Sequence, residues 1–311
     1  DAEPADVRIL YADKDITTIA VPEDVPLIGT NAFESCTALA AVTLPQNIRM
    51  IENYAFKSCT ALTTITIPAA VRSIGNQAFY GCTGLTTVTL ANGSQLSEIG
   101  NTAFYNDSKM GILRLPNGIT SIGISAFSNC SATLVTEIVS ATARSLGQAG
   151  FAFKPDPAGW ATYKYLFDAN GTETGFQLAG IQLGEEQDSV TVPNRVTCAA
   201  SGVFNQSALK KVYLGTGFTA IPDETFKNCT YLKTVELPGN VTSIGAKAIY
   251  NCRGLAELEL PDGIESIGTD AFTNYSGKIY ANPDSTTAMS LSRKGLFFRA
   301  SSYSSGSFRS S

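Results

Sequence analysis

The segment IENYAFKSCTALTTITIP, residues 51–68, returns along most of the chain with small changes. A returning segment constrains the fold more tightly than any single motif, because it makes the chain a stack of like units. Its Ala-Phe pair sets the spacing: Phe33, Phe56, Phe79, Phe104 and Phe127 follow at steps of 23, 23, 25 and 23. The longer step comes from two extra residues in ANGSQLSEIG. The series resumes at Phe204, Phe226, Ile249 and Phe272, with steps of 22, 23 and 23. An Ile stands five residues before each early anchor, at Ile28, Ile51, Ile74, Ile99 and Ile122. A Cys stands three residues after, at Cys36, Cys59, Cys82 and Cys130, with Asp107 breaking the series.

Within one repeat, Leu62, Ile65 and Ile67 are apolar while Thr63, Thr64 and Thr66 are polar. This near-alternation of β-branched residues reads as a short strand with one face inward. Pro68 ends it, since proline cannot donate to a ladder. Val71 and Ile74 are expected to point back into the core, and Gly75 marks a turn. The segment NQAFYGC is expected to form a single helical or 3-10 turn that inserts Phe79. One such unit cannot bury its own apolar face, but stacked units can. The expected class is therefore an α/β repeat solenoid of short strands and short helical or 3-10 turns.

The units IGNQAFYGCTGLTTVTL and VTSIGAKAIYNCRGLAELELP resemble the 23-residue leucine-rich repeats of the BspA-like surface proteins of anaerobic bacteria and some protozoa. The resemblance covers roughly residues 16–140 and 190–280. It implies a secreted or surface-anchored bacterial protein that binds host proteins, other cells or glycans.

The repeat fails twice, after Cys130 and after Tyr275. The two interruptions match at an offset of 145 residues, pairing Ser140 with Ser285, Leu146 with Leu291, Gly150 with Gly295 and Phe153 with Phe298. This reads as one C-terminal cap used twice: a strand, a short helix opening near Ser140 or Ser285, a Gly stop and a final strand. Two caps predict two tandem modules. The first spans 1–154, with its cap at 131–153 and Val7–Val21 covering its first rung. The second spans 155–311, with its cap at 276–300. Pro155 and Pro157 suit a linker. Tyr163, Tyr165 and Phe167, followed by the turn Asp168-Ala169-Asn170-Gly171, predict a β-hairpin entry to the second module. Trp160 and these aromatics would seal the module junction. The Ser-rich tail is expected to be mobile at its end.

Composition narrows the chemistry. The chain contains no histidine, which removes Ser-His-Asp and Cys-His catalysis and histidine metal sites. Only 16% of residues are charged, against about 25% in an ordinary soluble domain; Ser and Thr take up the difference. A net charge of −5 argues against nucleic acid and anionic membranes. No apolar run approaches the ~18 residues of a spanning helix, so no membrane insertion is expected. The chain starts at Asp1 with neither Met nor apolar leader, the expectation for a mature extracellular or surface form. Cysteines on adjacent rungs lie within disulfide reach, yet Ser207 and Tyr275 occupy the same position, so small buried hydrophobes are the simpler reading. Ligands 23 residues apart on a rigid ladder do not converge on zinc, and neither metal nor cofactor is expected. Glu236, Glu257 and Glu259 share a face but have nothing to seclude them from water.

The outward strand positions are the expected ligand-binding surface. On the first module these are Thr63, Thr64, Thr66, Thr86, Thr87, Thr89 and Arg114. On the second they are Lys210, Lys211, Tyr213, Lys233, Glu236, Glu257 and Glu259, grading from basic to acidic. The expected function is non-enzymatic binding or adhesion, by a monomer, to an extracellular protein or glycan. A structural spacer without its own ligand is the alternative, and an enzyme the remote third.

Overall fold

The computed structural model describes residues 8–9, 12–155 and 159–301. Expectations for Val7, Pro157 and the tail beyond residue 301 lie outside these. The chain divides into two compact units, Asp1–Gly159 and Trp160–Ser311.

In the first unit, each turn of the solenoid contributes two short parallel strands. Thr18–Ala20, Ala41–Thr43, Thr64–Ile67 and Thr87–Leu90 stack into one sheet, and Ile112–Arg114 pairs with Thr133–Val135 further along. Register is exact from rung to rung, with Thr64 opposite Thr87 and Ile65 opposite Val88. The period-2 pattern places Ile65 and Ile67 inside and Thr64 and Thr66 outside. A second parallel sheet holds Arg8–Ile9, Leu27–Ile28, Met50–Ile51, Ser73–Ile74, Glu98–Ile99 and Ser121–Ile122. Ile28, Ile51, Ile74 and Ile99 are buried in the shared core, as is Val71.

The anchors form a column of parallel rings. Phe33, Phe56, Phe79, Phe104 and Phe127 stack at centroid separations of 4.9, 5.2, 5.2 and 5.5 Å, with planes within 6°. Phe151 closes the column edge-on to Phe127.

The segment around each anchor differs from the helical or 3-10 turn that the sequence suggests. It is two successive turns, with a left-handed residue two before and two after the anchor: Tyr54 and Ser58 around Phe56, Gln77 and Gly81 around Phe79, Lys247 and Asn251 around Ile249. The hydrogen bonds give the reason. Alternate amides close local turns, as Lys57 N–H does on Tyr54 O and Cys59 N–H on Phe56 O, both at 3.1 Å. The others point along the stack: Tyr54, Phe56 and Ser58 donate to Asn76, Ala78 and Tyr80 of the next rung at 2.9, 2.7 and 2.8 Å. A helix would turn every amide inward on its own segment and leave the rungs unjoined. Left-handed backbone costs a non-glycine residue about 1–2 kcal/mol, and the inter-rung bonds offset it.

Two eight-residue helices end the ladders: α1, Ala141–Gln148, and α2, Thr286–Arg293. Ser140 and Ser285 cap them, accepting from Ala143 N–H at 3.0 Å and Ala288 N–H at 3.1 Å. Thr142 Oγ1 accepts from Ile119 N–H at 2.9 Å and donates to Pro116 O. Thr287 does the same with Ile264 N–H, at 2.9 Å, and Pro261 O. One threonine thus satisfies a donor and an acceptor that the last rung would otherwise leave open. Left-handed Gly150 and Gly295 follow the helices.

The second unit opens on an antiparallel hairpin, Ala161–Phe167 with Glu173–Ile181. Asp168 shapes its turn by accepting from the amides of Asn170 and Thr172, both at 2.9 Å. The hairpin then pairs in parallel with Cys198–Ala199. Tyr165 is fully buried against Phe176, and Arg195 donates to its hydroxyl at 2.8 Å while lying over the Phe176 ring. The aromatic cluster therefore builds the core of this unit. Beyond it the ladder resumes in Ser189–Thr191, Lys211–Tyr213 and Thr234–Glu236, beside Ala220–Ile221, Ser243–Ile244 and Ser266–Ile267. Glu257–Glu259 pairs with Lys278–Ala281, which pairs with Arg299–Ala300.

Candidate functional surfaces

The strand face of the first unit is flat and exposed at Thr63, Thr64, Thr66, Thr86, Thr87, Thr89 and Arg114. Part of its hydroxyl chemistry is internal: Thr86 Oγ1 donates to Thr63 O at 3.0 Å. In the second unit Lys210, Lys211, Lys233, Glu236 and Glu257 are exposed, and Tyr213 and Glu259 are half-buried. Several of these charges are paired across rungs. Lys210 meets Asp188 at 3.0 Å, which holds the Asp188 carboxyl below its usual range. Glu257 meets Lys278 at 3.6 Å and accepts from Tyr280 OH at 3.3 Å. Glu259 accepts from Ser301 Oγ. Among the described residues Lys211, Lys233 and Glu236 have no ion-pair partner.

All seven cysteines are free. Register explains why no bond is needed. Cys59 Sγ donates to Phe33 O and Cys82 Sγ to Phe56 O, both at 3.1 Å; Cys229 and Cys252 donate to Phe204 O and Phe226 O at 2.9 Å. Each thiol thus reaches the anchor carbonyl of the preceding rung. Burial pushes the Cys59 and Cys252 thiols up to about 12, so neither supplies a thiolate at neutral pH. Treating the native protein with iodoacetamide at pH 8 should leave Cys59, Cys82 and Cys252 unmodified by mass spectrometry until denaturant is added. Native-state alkylation there would contradict their burial.

Asp107 stands where the repeat places cysteine, fully buried, and neither carboxyl oxygen has a hydrogen-bond partner in the structure. Burial pushes its carboxyl up to about 8. Among the described residues no three potential metal ligands converge, and no helix is long and apolar enough to cross a membrane.

A depression of about 470 Å³ lies not on the threonine face but on the other sheet of the first unit. It runs across four rungs, past Met50, Ser73, Glu98 and Ser121 on one side and Asn53 and Asn76 on the other, over Gly75 and Gly100. Glycine is required there by stacking. A Cβ on Gly75 would sit 2.6 Å from the Asn53 backbone nitrogen, and one on Gly100 2.5 Å from that of Asn76. The sequence reading missed this surface. Its signal was the Gly-Asn pair recurring at 75–76 and 100–101.

Residues 8–150 and 185–278 match the family model for the BspA-type leucine-rich repeat region, in six copies. The chain belongs to this family. The gap between the matched stretches contains the hairpin Ala161–Phe167 and Glu173–Ile181, where the BspA-type ladder is interrupted. Similar crystal structures include a leucine-rich repeat protein from Bacteroides ovatus, 21% identical over 95% of this chain and 87% of that one, with a TM-score of 0.47. The pneumococcal vaccine antigen PcpA is 23% identical over 86% of this chain, with a TM-score of 0.39. A leucine-rich cell surface protein from Faecalibacterium prausnitzii is 23% identical over 85% of this chain and 78% of that one, with a TM-score of 0.35. The chain spans 63% of the length of the PcpA structure. No curated protein matches it.

Proposed function

We propose that this BspA-type protein is a non-enzymatic binding scaffold, working outside the cell or at its surface, whose strand faces recognise a protein or glycan. The supporting observation is the division of labour within each rung. Inward positions repeat almost unchanged, whereas the exposed ones go from Thr64 and Thr66 to Lys211 and Tyr213 and then to Glu257 and Glu259 on one rigid ladder. A flat, open strand face suits a protein surface better than a small molecule, which needs concavity. The grading from Lys210, Lys211 and Lys233 to Glu236 and Glu257 offers charge complementarity to a partner of opposite grading. In this reading the caps bound two modules, 1–154 and 155–311, each presenting its own face.

The test is an array of extracellular matrix proteins and glycans probed with the full chain and with a Lys210→Glu, Lys211→Glu, Glu257→Lys variant. A wild-type binder should be lost from the variant, whose melting temperature stays unchanged because the altered side chains are solvated. Equal binding by both proteins would remove the strand face as the site. Silence across the array would favour a spacer.

A further inference from the structure

The depression over Gly75 and Gly100 has a chemistry that the strand faces lack. Asn53 Oδ1 accepts from Asn76 N–H and Asn76 Oδ1 from Asn101 N–H, both at 2.7 Å. These bonds fix the two amide groups in register and occupy their oxygens. Among the described residues the amide hydrogens of Asn53 and Asn76 have no acceptor, and the side chains of Ser73, Glu98 and Ser121 have no partner. One wall therefore offers donors, and the other offers hydroxyls and a carboxylate. Met50, 40% exposed at one end, adds an apolar surface.

We propose that this trough binds an extended, neutral polysaccharide with about one sugar per rung. Three features select that class. A sugar's hydroxyls both donate and accept, which matches walls of mixed polarity. The lining carries Glu52 and Glu98 and no Lys or Arg, which repels sulfated and uronate polymers. The third is spacing. Rungs recur every 4.9–5.5 Å, read from the anchor rings. An extended peptide advances about 3.3 Å per residue and falls out of step with them, whereas a pyranose ring with its glycosidic oxygen advances by about one rung. The groove is open along its length, so a polymer can enter anywhere along a chain. The proposal rests on the reading of this protein as a binding scaffold, but uses a different sheet and different residues.

The second unit supplies the control substitution. There Asp223 Oδ1 accepts from Ala246 N–H at 2.7 Å, the same bond made by a carboxylate. An Asn53→Asp, Asn76→Asp variant should therefore keep the inter-rung bonds and lose only the donors. Ser73→Trp would fill the trough and leave both amides alone. Isothermal titration of the full chain with neutral β-linked gluco- and xylo-oligosaccharides of two to eight units should show affinity rising with length and levelling once four rungs are spanned. Hyaluronan and an uncharged extended peptide should bind more weakly. Each variant should lose binding about tenfold or more at unchanged melting temperature. The Lys210→Glu, Lys211→Glu, Glu257→Lys protein should bind these sugars normally, which separates this site from the strand face. No binding of any neutral oligosaccharide, stronger binding of hyaluronan or peptide, or undiminished binding by a variant that retains its melting temperature would each overturn the proposal.

Discussion

The Phe79→Ala variant should lose about 3–5 kcal/mol of stability, read as a large fall in the midpoint of chemical denaturation. Phe79 is fully buried, with Phe56 and Phe104 each 5.2 Å away in near-parallel planes. Removing the ring opens a cavity and breaks two ring contacts at once. In a stack each rung is held by its neighbours, so a gap in the middle also uncouples the rungs on either side. Relaxation around the cavity is limited, because the backbone of each anchor is tied to the next rung: Phe79 N–H donates to Ala103 O at 2.8 Å. The comparison is Tyr231→Ala, a change at a side chain 64% exposed, which should stay within about 0.5 kcal/mol of wild type. A midpoint for Phe79→Ala no lower than that of Tyr231→Ala would refute the ring column as the main support of the fold.

The second large effect concerns pH. A free aspartate titrates near ~3.9, and burial raises Asp107 to about 8 in the folded protein. Between those values the native state holds a proton that the unfolded chain has released. Stability is therefore greatest in acid and falls as pH rises through this window, by up to about 1.4 kcal/mol per pH unit, then levels off above pH 8. Asp107→Cys restores the residue of the repeat, whose thiol would reach Phe79 O as Cys82 reaches Phe56 O. Denaturation curves at pH 5, 6, 7 and 8 should show wild type weakening step by step while the variant stays nearly flat, and the variant should be the more stable protein at pH 8. Parallel curves would mean that Asp107 ionises without cost where it stands. The window ends at pH 8 because the neighbouring thiols titrate only above it, Cys130 at about 11 and Cys82 higher still.

Much of this architecture was legible because it repeats. The alternation LTTITIP names which side chains face the core, and one reading serves every rung. Matching Ser140 with Ser285 located both helices from spacing alone. The turns around the anchors were not legible in the same way. Gln77, Thr102, Glu224 and Lys247 are left-handed, yet none is a residue type that favours that conformation. What imposes it is the next rung's carbonyl, a partner some 23 residues away that local propensity ignores. The cysteine position showed the same limit. Its spacing signalled importance, but only register shows that the thiol serves a carbonyl of the preceding rung. The depression escaped notice for a related reason. Glycines read as turn signals along the chain, and only stacking aligns them into a trough.

The cysteines have a mechanical consequence. With all seven free, no covalent link crosses from one rung to the next. Rungs about 5 Å apart are joined by hydrogen bonds and stacked rings alone. Under tension from its two ends, such a stack yields one rung at a time, and each rung that opens lets out 23 residues, about 75–80 Å of extended chain. A load that would tear a bonded contact elsewhere is taken up as length. The same periodicity that builds a rigid scaffold at rest makes it an extensible tether when pulled.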